Sequence, residues 1–167
     1  VRAHLSIAIT LTLLGCGYGL VRPDQSPVDR LTVGTIEDTT AQGDLGLTVA
    51  QALHAGLAHR TRPVLDPKGP ELGGVVRLAH PQIQALNGAG AGLSAISRVD
   101  VSVTLTLRGR AQAPLWTGPP STRTARWPRA ATPIQTRDQR RLAIHQAARE
   151  ASGDALMHFL EHPLEAP

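Results

Sequence analysis

The side chain with the most specific chemistry to offer is Cys16, the single cysteine in 167 residues. With no second thiol an internal disulfide is excluded, so its position says more than its number. It closes the tetrapeptide Leu13-Leu14-Gly15-Cys16, which ends an uncharged, mostly apolar run, Leu5–Leu14, ten residues long. Ten residues of helix span about 15 Å, half of the roughly 30 Å hydrocarbon core of a bilayer, so the run reads as a signal-peptide h-region and not as a spanning anchor. Arg2 and His4 form a short n-region before it. A thioether to diacylglycerol needs a thiol at the membrane surface. The peptidase that follows needs a small residue just before its cut, here Gly15, and the cut frees the Cys16 amine for a further acyl chain. Three chains exceed the two signals that stable anchoring requires.

The tetrapeptide looks like the lipobox of bacterial lipoprotein precursors. Residues 1–15 are expected to be a signal peptide cleaved between Gly15 and Cys16, and 16–30 to be a lipidated cysteine with its tether, broken by Pro23 and Pro27. Residue 17 is Gly and not the Asp that retains many lipoproteins in the inner membrane, which favours the outer membrane, on its periplasmic side.

The remaining chemistry is mostly cationic. Arg108, Arg110, Arg123, Arg126 and Arg129 flank an expected hairpin, and Arg137, Arg140 and Arg141 open the last helix. Guanidinium forks match phosphate oxygens, and arginines at a helix start oppose its dipole, which hints at another use. His158 and His162 are four apart, but Pro163 follows at once and no third ligand is evident, so they read as solvated surface. There is no Gly-x-Ser-x-Gly elbow and no carboxylate pair set off by a motif. Gly88-Ala-Gly-Ala-Gly92 precedes a strand instead of opening a helix, the wrong way round for a dinucleotide fingerprint. An enzyme is not expected, nor a cofactor beyond the covalent lipid.

The formal charge of +4 is a mild excess, and with no basic run interleaved with aromatics a nucleic-acid partner is not expected. Aromatics make up only 2% against 41% apolar residues, so the core must come from Leu, Val, Ile and Ala. Val99, Val101, Val103, Leu105 and Leu107 alternate with polar residues up to Arg108, a strand with one buried and one wet face. Leu31–Ile36 and Leu72–Ala79 read as shorter strands, and Leu115–Trp127 as one or two more. Leu45, Val49, Leu53 and Leu57 fall at helical spacing over 45–59, with Asp44 as cap. Thr136 and Gln139 form a capping box before a second helix over 137–161, striped by Ile144, Ala148, Ala151, Ala155 and Phe159. The expected fold is α+β, a two-layer sandwich in the order β-α-β-β-β-α. Two helices pack on one face of a mainly antiparallel four-stranded sheet, in a single domain over 31–162 with a tail at 163–167.

In this order the features resemble the lipopolysaccharide-assembly lipoprotein family of the LptE type. They are the lipobox followed by Cys16-Gly17-Tyr18-Gly19-Leu20, an early strand into Ile36-Glu37-Asp38-Thr39-Thr40, the first helix, the alternating strand ending Leu107-Arg108-Gly109, then Pro114-Leu115-Trp116, and a last helix from about 137. The resemblance implies a non-enzymatic protein anchored in the outer membrane that plugs the β-barrel translocon inserting lipopolysaccharide. Its partners would be that barrel and lipopolysaccharide, with Arg108, Arg110, Arg123 and Arg126 as contacts to lipid A or core phosphates. The strand-turn-helix over LTVGTIEDTT fits equally a regulatory lipoprotein such as an activator of peptidoglycan synthases. However, Gly17–Arg30 spans about 45 Å at most, which favours a partner close to the membrane.

Overall fold

The computed structural model describes residues 31–60, 69–86, 94–109, 111, 113–128 and 132–162. The signal peptide, Gly15, Cys16, the tether, Arg110, Arg129, the 88–92 glycine segment and the C-terminal tail lie outside the described residues. The elements run β1 (Thr32–Asp38), α1 (Leu45–Arg60), β2 (Glu71–Leu78), β3 (Gln82–Leu86), β4 (Ser94–Arg108), β5 (Pro114–Thr117), β6 (Ser121–Pro128) and α2 (Pro133–Glu161).

Strand β4 is the spine of the sheet. One of its edges pairs antiparallel with β2 over Val101–Arg108 and with β3 over Ser94–Arg98. The other edge pairs antiparallel with β6 over Ile96–Val103 and with β5 over Thr106–Arg108. Strand β1 pairs parallel with β2, as a helix lying between two sheet neighbours requires. The expected four-stranded, mainly antiparallel sheet is thus corrected to a mixed sheet of six strands among the described residues. The reason is proline. Pro81 divides β2 from β3, and Pro119-Pro120 divide β5 from β6, because a proline has no N–H to give the ladder. The residues just before each break stay docked on the spine through Ala79 N–H to Asp100 O (2.9 Å) and Gly118 N–H to Leu105 O (3.0 Å). The six strands therefore occupy four columns: β1, β2 with β3, β4, and β5 with β6.

Both helices cover one face. All five alternating residues of β4, from Val99 to Leu107, are at most 2% exposed, and they meet Leu72, Val76, Ala125 and Trp127 of neighbouring strands. Above them lie Leu45, Val49, Leu53 and Leu57 of α1, and Ile144, Ala148, Ala151, Ala155 and Phe159 of α2. The alanines of α2 bring its axis close to β4 and β6, while α1 covers β1 and β2. The helices run side by side in the same direction, from Asp44 against Arg141 to Gly56 against Leu156. Where aromatic rings enter this core, they meet edge to face: Trp116 and Phe159 have centroids 5.0 Å apart.

Two helix starts differ from expectation. Helix α2 begins a turn earlier, capped by Thr132, whose hydroxyl accepts the Gln135 N–H, with Pro133 in the first turn. Helix α1 is capped from a distance. The carboxylate of Asp38, at the end of β1, accepts the N–H groups of Leu45 (2.9 Å) and Gly46 (3.2 Å). It also accepts the N–H and hydroxyl of Thr40. Gly43 at φ 69° makes the turn possible. Burial pushes the Asp38 carboxyl up, but these hydrogen bonds outweigh it and hold the group below its ordinary value of 3.8. A depressed carboxylate stabilises the fold above its unfolded pKa, and that stabilisation is lost as the pH falls through the folded one. Asp38→Asn should therefore cost about 1 kcal/mol at neutral pH, the worth of a good cap. In urea titrations the gap from wild type should narrow as the pH is taken well below 4. A gap of the same size at both ends would mean that the charge on Asp38 plays no part.

Candidate functional site

The other face of the sheet is covered by no described element. Along β4 it presents Arg98, Asp100, Ser102, Thr104, Thr106 and Arg108, the residues that alternate with the buried ones. Their neighbours across the ladder are of the same kind. Thr117 stands opposite Thr106, Thr122 and Arg77 on either side of Ser102, and Thr124 opposite Asp100, to which it donates a hydrogen bond of 2.6 Å. Of the apolar side chains, Val75 is partly exposed in the middle of this face. The result is a broad plane of hydroxyls with arginines at its margins.

Arg98 and Arg126 stand directly opposite one another at one end of the plane. Arg98 donates to Gln82 Oε1 at 3.0 Å, and no described acidic side chain pairs with either guanidinium. Like charges facing each other across a ladder destabilise it unless an anion lies between them. A planar guanidinium fork suits a phosphate or carboxylate.

The sequence-identified arginines do not form one cluster. Arg108 and Arg126 share the open face, but Arg126 sits beside Arg98, ten residues along β4 from Arg108, or about 33 Å. Arg123 lies on the opposite face, across from buried Val101, and its guanidinium forms a two-pronged pair with Asp154 of α2, with Nη2 to Oδ1 at 2.9 Å. That hydrogen bond holds Asp154 below the usual carboxylate range and Arg123 above its own. Arg98 and Arg77 were not singled out by sequence. The period-two alternation carries both onto this face, but which strand lies next to which depends on a register that no local pattern states.

Two of the arginines that open α2 have structural partners. Arg140 lies over the Trp127 ring, 5.9 Å from its centroid. Arg141 reaches Asp44 at 2.7 Å. Asp44, expected as the cap of α1, instead joins the two helices, since His145 Nε2 lies 3.3 Å from it and His145 Nδ1 lies 2.8 Å from the Thr48 hydroxyl. Arg137 faces a groove of about 670 Å³ between residues 41–44 and the first turns of α2. His158 and His162 stack on each other with centroids 4.4 Å apart, at the opposite end of α2.

A family model described as "LptE: Lipopolysaccharide-assembly" matches residues 28–157. No curated protein matches the sequence significantly. Among solved structures, this chain is similar to a minor lipoprotein from Acinetobacter baumannii, with 19% identity and a TM-score of 0.47, covering 75% of this chain and 90% of that one. It is also similar to the rare lipoprotein B from Shewanella oneidensis, with 14% identity and a TM-score of 0.47, covering 80% and 99%. A third is the PelC dodecamer from Paraburkholderia phytofirmans, with 20% identity and a TM-score of 0.44, covering 86% and 94%.

Proposed function

The chain belongs to the LptE family of lipopolysaccharide-assembly proteins, and from that premise we propose that it is the plug and partner of the outer-membrane β-barrel through which lipopolysaccharide is inserted. It is held on the periplasmic side by lipid on Cys16 and performs no catalysis. The observation that carries this reading is the open sheet face. The lumen wall of a large membrane barrel is polar, because inward residues alternate with lipid-facing ones. A plug for such a wall needs a broad surface that hydrogen-bonds without being charged throughout. Ser102, Thr104, Thr106, Thr117, Thr122 and Thr124 provide one. The helices keep Val99, Val101, Val103, Leu105 and Leu107 of β4 on the other side.

Within the arginine set, we assign glycolipid phosphate to Arg126, with Arg98 as its cross-strand partner. Arg123 joins only if its guanidinium leaves Asp154. Arg108 belongs to the other end of β4, where a different surface is available.

A photo-reactive residue at Thr104, in intact cells, should capture one large β-barrel, and the tagged chain should co-purify with that barrel near one to one through detergent. Obligate interfaces of about 2,000 Å² or more behave this way. Depletion should lower the amount of assembled barrel and sensitise cells to large apolar antibiotics. Capture of a peptidoglycan synthase in place of the barrel would overturn the proposal.

A further inference from the structure

Where the chain enters the domain, a single row crosses all four columns of the sheet: Thr32, Glu71, Arg108 and Pro114. Both helices end at this rim, since both run antiparallel to β1. At the rim, Leu115 is 52% exposed and lies across Gly109, where an added Cβ would come within 3.3 Å of it. Arg108 is its neighbour and is exposed. The acid opposite Arg108, Glu71, turns away to accept the Thr35 N–H at 3.2 Å, so Arg108 has no ion pair among the described residues. Beneath Leu115 the half-buried Trp116 links the rim to the core. An exposed leucine beside an unpaired arginine, with an indole just behind, is the composition of a headgroup-level contact.

The length of chain leading to this rim says what it would meet. Fourteen residues, Gly17–Arg30, separate Cys16 from Leu31. A chain of that length has a mean span of about 20 Å, whereas β4 alone is about 50 Å long. With Cys16 at the bilayer, the rim is the part of the domain that the tether holds near the surface. The end bearing Ile83, Ile134 and Trp127 is carried away from it. Tethering keeps the local lipid concentration in the millimolar range or above, so even a weak contact is occupied.

We propose that the Arg108–Leu115 rim contacts anionic phospholipid headgroups of the leaflet that holds Cys16, at the periplasmic mouth of the barrel. This rests on the anchoring reading of Cys16. The test keeps the two apart. The full chain is purified from membranes, and the lipid on Cys16 is read by mass spectrometry. Should Cys16 be free, its thiol is coupled to a maleimide phospholipid, so the rim is tested in either case. The two tryptophans lie at opposite ends, so Trp127→Phe reports on the rim and Trp116→Phe on the far end. In vesicles containing phosphatidylglycerol and acyl chains brominated near the carbonyl, Trp116 fluorescence should be quenched at least twice as strongly as that of Trp127. Arg108→Gln should weaken the quenching about fivefold at low salt, and 0.5 M salt should do the same to the unsubstituted rim. Leu115→Ser should reduce it further, with circular dichroism confirming that the fold is kept. Equal quenching of both tryptophans, or Trp116 quenching indifferent to Arg108, salt and Leu115, would overturn the rim.

Discussion

Val103→Asp is expected to unfold the domain at ordinary temperatures, whereas Thr104→Asp, one residue along, should cost about 0.5 kcal/mol or less. Val103 is 0% exposed and sits between Val76 of β2 and Ser121 of β6, beneath the helices. A carboxylate there loses its water and gains no cation, a penalty of several kcal/mol even after relaxation. A domain of this size commonly has about 5–15 kcal/mol in total, and one with few aromatics has little margin to lose. Thr104 is turned to the open face, so an aspartate in its place stays hydrated. Thermal unfolding of the detergent-solubilised chain, followed by circular dichroism, should show a drop of more than about 10 °C for the first and at most a few degrees for the second. Similar losses from both would mean that β4 is not covered on one face only.

Cys16→Ala is expected to abolish lipidation altogether. The unsubstituted chain recovered from membranes should begin at Cys16 and carry the mass of its acyl chains, and the variant should retain residues 1–15 and carry no added mass. The effect is all or none because alanine has no thiol to form the thioether, and anchoring follows from the chains, each buried CH₂ contributing about 0.8 kcal/mol. One chain holds a protein only reversibly, and two or three hold it for good. Intact-mass spectrometry of the membrane fraction decides the matter. A mature chain with a bare Cys16 would sink the anchoring reading, and with it the reason for placing this domain beside a membrane barrel.

What could be read from sequence followed periodicity. Five apolar residues at period two in β4 and the 3.6-residue stripes of α1 and α2 all turned out buried, because burial of one face is a local property of side-chain order. Strand β3 was missed. Gln82–Leu86 has only two large apolar residues, follows a proline and runs into glycines, so its strand state comes from the long free edge of β4 rather than from its own sequence. The N-terminus of α2 was legible but misplaced. Thr132-Pro133-Ile134-Gln135 repeats the spacing of Thr136 and Gln139, and the proline favours the earlier copy because it suits the first turn. The exchange of roles between Asp38 and Asp44 could not be read, since it depends on α2 bringing Arg141 and His145 over the start of α1. The same holds for the arginines. Alternation puts Arg123 and Arg126 on opposite faces, but only the packing of α2 commits the first to Asp154, and only the β4–β6 register sets the second against Arg98.

The prolines that divide the outer columns bear on how many copies of this protein can share a surface. Lipid-anchored molecules are confined to a plane and meet edge to edge far more often than molecules in free solution. Any long unpaired strand edge would then be a template for a neighbouring chain to extend. In this sheet the one long strand, β4 with 15 residues, has partners along both of its edges. The strands at the margins have seven, five, four and eight residues, in β1, β3, β5 and β6. Pro114, Pro119, Pro120 and Pro128 remove amide donors at the ends of the last two. The interruptions thus shorten the outer edges that a crowded layer of these molecules presents to its neighbours.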